Sequence, residues 1–179
     1  MHPVLFEVFG ITITYYGLFV ATGVLFGLWV SSRVGKYLGM DPNKVFDFGI
    51  LIVIVAILGS RIFYIILNLP DFLKDPAPYI FSRGGFVFLG GVASAFIFGI
   101  PYAIKKGWKV GNIADALAPG LAIGHAIGRQ GCLMNGCCFG KEVCETTFMA
   151  THFETAPGFR IPTQLYESLA EFSIFIILL

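Results

Sequence analysis

Residues 45–67 read VFDFGILIVIVAILGSRIFYIIL. A helix rises about 1.5 Å per residue, and crossing a bilayer takes about 20 predominantly apolar residues. Val45–Leu67 meets that length and places this chain among membrane proteins. Comparable segments recur on either side of it. The sequence predicts spans at about 14–31, 86–104, 113–127 and 163–179 besides 45–67, all in one integral membrane domain over 1–179. The fold class is an all-α, polytopic helical protein with about five spans, and a long loop from Gly128 to Ile161 joins the last two.

Composition agrees. The 179 residues are 56% hydrophobic and 13% charged, against about half and a quarter in soluble domains. Net charge is +1, which gives nucleic acid no reason to bind. No positive charge precedes the first apolar segment and no small-residue cleavage pattern follows it, so that segment reads as retained rather than as a signal peptide. Residues 1–10 read as a short amphipathic lead with Phe6 and Phe9 at the interface. Arg33, Lys36 and Lys44 fill the first connection and Lys105, Lys106 and Lys109 the third, while Arg129, Lys141 and Arg160 are diluted along the fourth. Short Lys/Arg-rich connections stay on the cytoplasmic side. The N-terminus and the 128–161 loop are therefore expected outside. The last span is weak: its first turns carry Gln164, Glu167 and Glu171, leaving too little apolar length to cross. It is either a half-inserted helix or one that continues in a longer chain.

Small and ionisable residues mark the helix faces. Gly23 and Gly27 form a smooth patch in the first span, and Ala116, Gly120, Gly124 and Gly128 repeat every four residues in the fourth. Such stripes let backbones approach closely. Beside the second stripe lie His125 and Arg129, one turn apart and so on one face. His125 reads as a packed, hydrogen-bonded core residue or as a catalytic group, the Arg129 pairing favouring the latter. Asp115 reads as a helix-start or structural charge. Arg61 falls in the outer half of its span, where it either snorkels to the interface or contacts an anion together with Arg129. Arg83-Gly84-Gly85 and Gly90-Gly91 bracket the third span and suit close backbone approach or anion-facing amides. Cys132, Cys137, Cys138 and Cys144 fall on the expected outer side. They admit disulfides, a redox dithiol, or a zinc site with His125 or His152, although the C-x4-C-C-x5-C spacing lacks the usual C-x2-C pair.

Four runs, in order, resemble one family. GRQGCLMNGCCFGK (128–141) resembles the signature of bacterial prolipoprotein diacylglyceryl transferase, which begins Gly-Arg-x-Gly and continues to Asn-Gly and a further Gly. Tyr15-Tyr16-Gly17 resembles its N-terminal Tyr-Gly, GGFVFLGG (84–91) its Gly-Gly-x-x-Phe-x-Gly-Gly, and RIPTQLYE (160–167) its Arg-His-Pro-Ser/Thr-Gln-Leu-Tyr-Glu. The resemblance implies a multi-pass enzyme of the bacterial cytoplasmic (inner) membrane, with its site toward the outer face and no cofactor. Its partners would be phosphatidylglycerol, prolipoprotein signal peptides bearing a lipobox cysteine, and membrane lipids. It would move the diacylglyceryl group onto that cysteine as a thioether and release glycerol phosphate.

By that resemblance Arg129 faces the leaving phosphate, with Arg61 and Arg83 next. Gly90, Gly91, Asn135 and Gly136 orient the headgroup, Tyr16 touches the lipid, and Gln164, Tyr166 and Glu167 support the site. The match departs at Leu89, where many relatives carry His, at Cys132, at Cys137-Cys138 and at Ile161. His125 is then the nearby histidine in a span able to act as base. The family also has later spans and an Arg-containing motif beyond the equivalent of Leu179. Two other readings stand beside the enzyme: a lipid-binding relative with altered chemistry, and an outward-facing thiol-redox or metal protein.

Overall fold

A computed structural model of the chain describes residues 4–8, 11–81 and 84–179. It is mostly helical. Strands β1 (Val4–Val8) and β2 (Ile11–Thr14) pair antiparallel and lead into α1 (Tyr15–Tyr37). Then come α2 (Pro42–Leu67), the short α3 (Leu69–Phe72) and α4 (Ala77–Phe81), α5 (Phe88–Lys105) and α6 (Val110–Asn135). Strands β3 (Glu142–Val143), β4 (Thr151–His152) and β5 (Phe159–Arg160) form a small antiparallel sheet in the order β3-β5-β4, and α7 (Thr163–Leu178) follows. The lead and the last loop thus contain short strands that the all-α expectation lacked.

Local chemistry sets the helix ends. Thr14 Oγ1 accepts from the Gly17 amide at 3.1 Å, and Asp41 Oδ1 accepts from Asn43 at 3.0 Å with Pro42 as the first helical residue. Both side chains satisfy amides that an N-terminal turn leaves open. At the far end of α6, Gly136 takes φ +65°, and the Gly136 and Cys137 amides return to the Leu133 and Cys132 carbonyls. That is a left-handed glycine stop. Helix α6 consequently runs eight residues past the expected Ile127 end, from 127 to 135, and carries Arg129, Cys132 and Asn135 on helix rather than loop. Asp115 is exposed and lies beyond the first turn, so it does not start the helix.

Helices α1, α2 and α5 are long and apolar enough to cross a membrane. Along α2, Ile54, Ile57, Leu58 and Ile62 are all exposed, an outward apolar stripe suited to lipid. Inside, the two small-residue stripes meet each other. A methyl placed on Gly27 would lie 2.5 Å from the Gly120 carbonyl oxygen, and one on Gly23 would lie 2.6 Å from that of Gly124. Helix α1 therefore crosses α6 at backbone contact, antiparallel to it. Helices α2 and α5 meet similarly, Gly59 facing Ser94 and Gly99 facing Ile52. The core at one end joins Val45, Phe48, Ala103, Ile113 and Ala116, with Met40 and Trp108 packed on it. Consequently the connections after α1 and after α5 lie side by side at that end. The start of α1, the end of α6 and the start of α7 share the opposite end.

Candidate functional site

Two polar rungs join α6 to α7. Arg129 Nε lies 2.7 Å from Glu167 Oε2, and His125 Nδ1 lies 3.3 Å from Glu171 Oε1. Each pair of residues is one turn apart on its own helix, and the helices run antiparallel, so the four side chains form a ladder. Below it, Gln130 Nε2 donates to Ser168 Oγ at 2.7 Å, and Ser168 Oγ donates to the Ala126 carbonyl at 2.9 Å. An ionisable group in an apolar helix costs a few kcal/mol unless paired; pairing across two helices offsets that cost and fixes their register. Arg129 Nε is buried, and Glu167 stands beside it as an ion-pair partner. Glu171 faces Nδ1 of His125 across the two helices.

The segment after α6 closes over this end. Phe153 is fully buried and stacks near Phe139 at 5.1 Å between ring centres. Thr155 donates to the Gly136 carbonyl, Arg160 lies over the Phe139 ring, and its Nη2 reaches Glu142 at 3.5 Å. Helix α7 then fastens the turn: Thr163 Oγ1 donates to the Cys138 carbonyl at 2.9 Å and Gln164 Nε2 to the Cys137 carbonyl at 2.6 Å. Gln164 is fully buried, and its Oε1 has no hydrogen-bond partner among the described residues. Tyr166 Oη reaches Met149 Sδ at 3.5 Å. Cys138 itself sits at φ +63°, a left-handed conformation uncommon for a residue with a side chain.

The expected site residues divide into two groups. Tyr16 joins the α6 end, since a methyl on Gly131 would lie 3.3 Å from the Tyr16 carbonyl oxygen. Arg129, His125, Asn135, Gly136, Gln164, Tyr166 and Glu167 lie at the same α6–α7 corner. Arg61 has partners of its own at α2 and the segment before α5. It donates to the Gly84 and Gly85 carbonyls and lies over the Tyr64 and Phe86 rings, tying α2 to the segment before α5. Gly90 and Gly91 are buried at the α2 contact, where a methyl on Gly91 would lie 2.9 Å from the Ala56 carbonyl oxygen. The structure gives them a packing role. Leu89 is 74% exposed at the start of α5. Arg83 lies outside the described residues. Glu171, Ser168 and Gln130 belong to the corner although the sequence did not single them out as site residues. The one-turn spacing of Glu167 and Glu171, matching that of His125 and Arg129, is the signal that could have found Glu171.

The thiols gather at this corner too. Cys132, Cys137 and Cys138 have sulfurs within 4.8 Å of one another, and Cys144 is a free, exposed thiol. Cys132 lies past the apolar part of α6. Burial, then the neighbouring Cys138 and Cys137, push its thiol up to about 11.

A family model described as prolipoprotein diacylglyceryl transferase matches residues 3–179. The chain belongs to that family. A phosphatidylglycerol–prolipoprotein diacylglyceryl transferase of Clostridium tetani is 33% identical over 182 residues, covering 100% of this chain and 73% of its own length. One from Bacillus cereus is 36% identical over 177 residues, covering 92% of this chain and 64% of its own length. A Clostridium perfringens relative, named transferase 2, is 33% identical and covers 100% and 72%. The chain thus spans about two thirds to three quarters of the relatives it matches. The transferase-like runs at 15–17, 128–141 and 160–167 come together at one corner of the fold, while the run at 84–91 packs on α2.

Proposed function

We propose that this protein transfers the diacylglyceryl group of phosphatidylglycerol to the lipobox cysteine of a prolipoprotein, at the corner where α6 ends and α7 begins. The Arg129–Glu167 pair carries the reading, because it places a guanidinium, the cation suited to a phosphate, at this corner. In the reaction the cysteine sulfur forms a C–S bond to the glyceryl carbon. The C–O bond to phosphate breaks, and glycerol phosphate leaves with the electron pair. Negative charge grows on the departing phosphate, where a preorganised cation lowers the barrier. His125, oriented by Glu171, takes the thiol proton. Tyr16, Asn135 and the Gly136 turn surround the headgroup, and Gln164 and Tyr166 hold the closing segment.

The same reading sets the topology: five spans in the bacterial inner membrane, N-terminus and α6–α7 corner outside. Its support is the charge distribution, because Lys36, Lys44, Lys105, Lys106 and Lys109 fall at or beside the two connections that share the opposite end.

The test is glycerol phosphate release by the full-length protein given phosphatidylglycerol and a lipobox peptide. Arg129→Ala should lower the rate by about a hundredfold or more. Absence of release from the unaltered protein overturns the reading. Leu89 favours one second reading: an exposed apolar residue where the resemblance implies His suits a relative that binds lipid with altered chemistry. Phosphatidylglycerol binding without release would support that reading instead.

A further inference from the structure

We propose that Cys132, Cys137 and Cys138 form a three-thiolate binding site for a soft divalent cation, with Zn²⁺ as the expected occupant. A tetrahedral zinc at about 2.3 Å from each sulfur sets its ligands about 3.8 Å apart. The Cys137 and Cys138 sulfurs already stand 3.7 Å apart, and all three lie within 4.8 Å. Modest rotamer adjustment closes the triangle. The three positions come from two structural units, the last turn of α6 and the turn that stops it.

The surrounding contacts hold that arrangement. Gln164 and Thr163 clamp the Cys137 and Cys138 carbonyls, and Cys138 keeps its left-handed φ under that clamp. Asn135 Nδ2 lies 3.6 Å from Cys137 Sγ, a donor placed to stabilise a thiolate. Cys138 is exposed, leaving the fourth position to water or an outside ligand. A disulfide fits this donor set less well. Adjacent cysteines have Cα atoms about 3.8 Å apart, below the about 4.4–6.8 Å usual for a disulfide, and any pairing leaves one thiol over. Soft thiolate sets select Zn²⁺ and related ions. On binding, three S–H bonds are replaced by three S–metal bonds, three protons pass to water, and no oxidation state changes.

The test uses reduced full-length protein titrated with Cd²⁺, reading the ultraviolet sulfur-to-cadmium charge-transfer band and mapping alkylated cysteines by mass spectrometry. One ion per chain should bind, Zn²⁺ should displace it, and Cys132, Cys137 and Cys138 should alkylate about tenfold or more slowly than in chelator. Cys144 should stay reactive, and Cys144→Ser should keep the band. Gln164→Ala should weaken Cd²⁺ binding about ten- to a hundredfold. No band, or equal alkylation of all four cysteines with and without Cd²⁺, overturns the proposal. The protection map is read on unaltered protein, so it stands even where a cysteine variant does not fold.

Discussion

Arg129 and His125 show how single residues acquire roles from partners far along the chain. Their one-turn spacing was legible in sequence, and it placed both on one face of α6. Their carboxylate partners were not equally legible. Glu167 came through a family motif, whereas Glu171 became a partner only once α7 was laid antiparallel on α6. If Glu171 orients His125, Glu171→Gln should slow glycerol phosphate release about ten- to a hundredfold with little change in phosphatidylglycerol KM. Steady-state kinetics in detergent or vesicles check that split. Gly90 and Gly91 teach the converse. A Gly-Gly pair signals close approach, but sequence cannot say whether a ligand or a helix approaches, and here it is α2.

At the scale of elements, the two small-residue stripes were readable one helix at a time, and their mutual contact explains why both exist. Gly27 and Gly120 leave no room for a side chain, so Gly27→Leu should separate α1 from α6 and cost about 1–3 kcal/mol. A fall in the thermal midpoint of the purified protein in detergent measures it. Gly39→Ala, at a turn with open space around it, costs through its φ of +75° alone and should shift the midpoint less. The long apolar helices were legible because each is a long run with a clear composition. The strands were not. Runs of two residues such as Glu142–Val143 and Phe159–Arg160 carry no period, and they come together where Phe153 and Arg160 pack on Phe139, in the segment after α6. The α6 boundary was missed because Gly128 and Gly131 suggest a loop, whereas the left-handed stop comes only at Gly136.

For the whole molecule, the fold sorts charge and chemistry to opposite ends. Lys36 and Lys106 mark one end, and the His125–Arg129 ladder with its closing sheet marks the other. With the proposed orientation, Cys144 should react with a membrane-impermeant maleimide in intact cells, while a cysteine introduced at Lys106 should react only after permeabilisation. The reverse pattern would contradict the orientation. Family membership, together with the Arg129–Glu167 and His125–Glu171 pairs, supports the proposed thioether transfer. The most direct measurement is the mass of a lipobox peptide incubated with phosphatidylglycerol and the full-length protein. The peptide should gain one diacylglyceryl group on its cysteine sulfur, and Arg129→Ala should abolish that gain. An unmodified peptide with the unaltered protein, or equal modification by the Arg129 variant, would contradict the assignment.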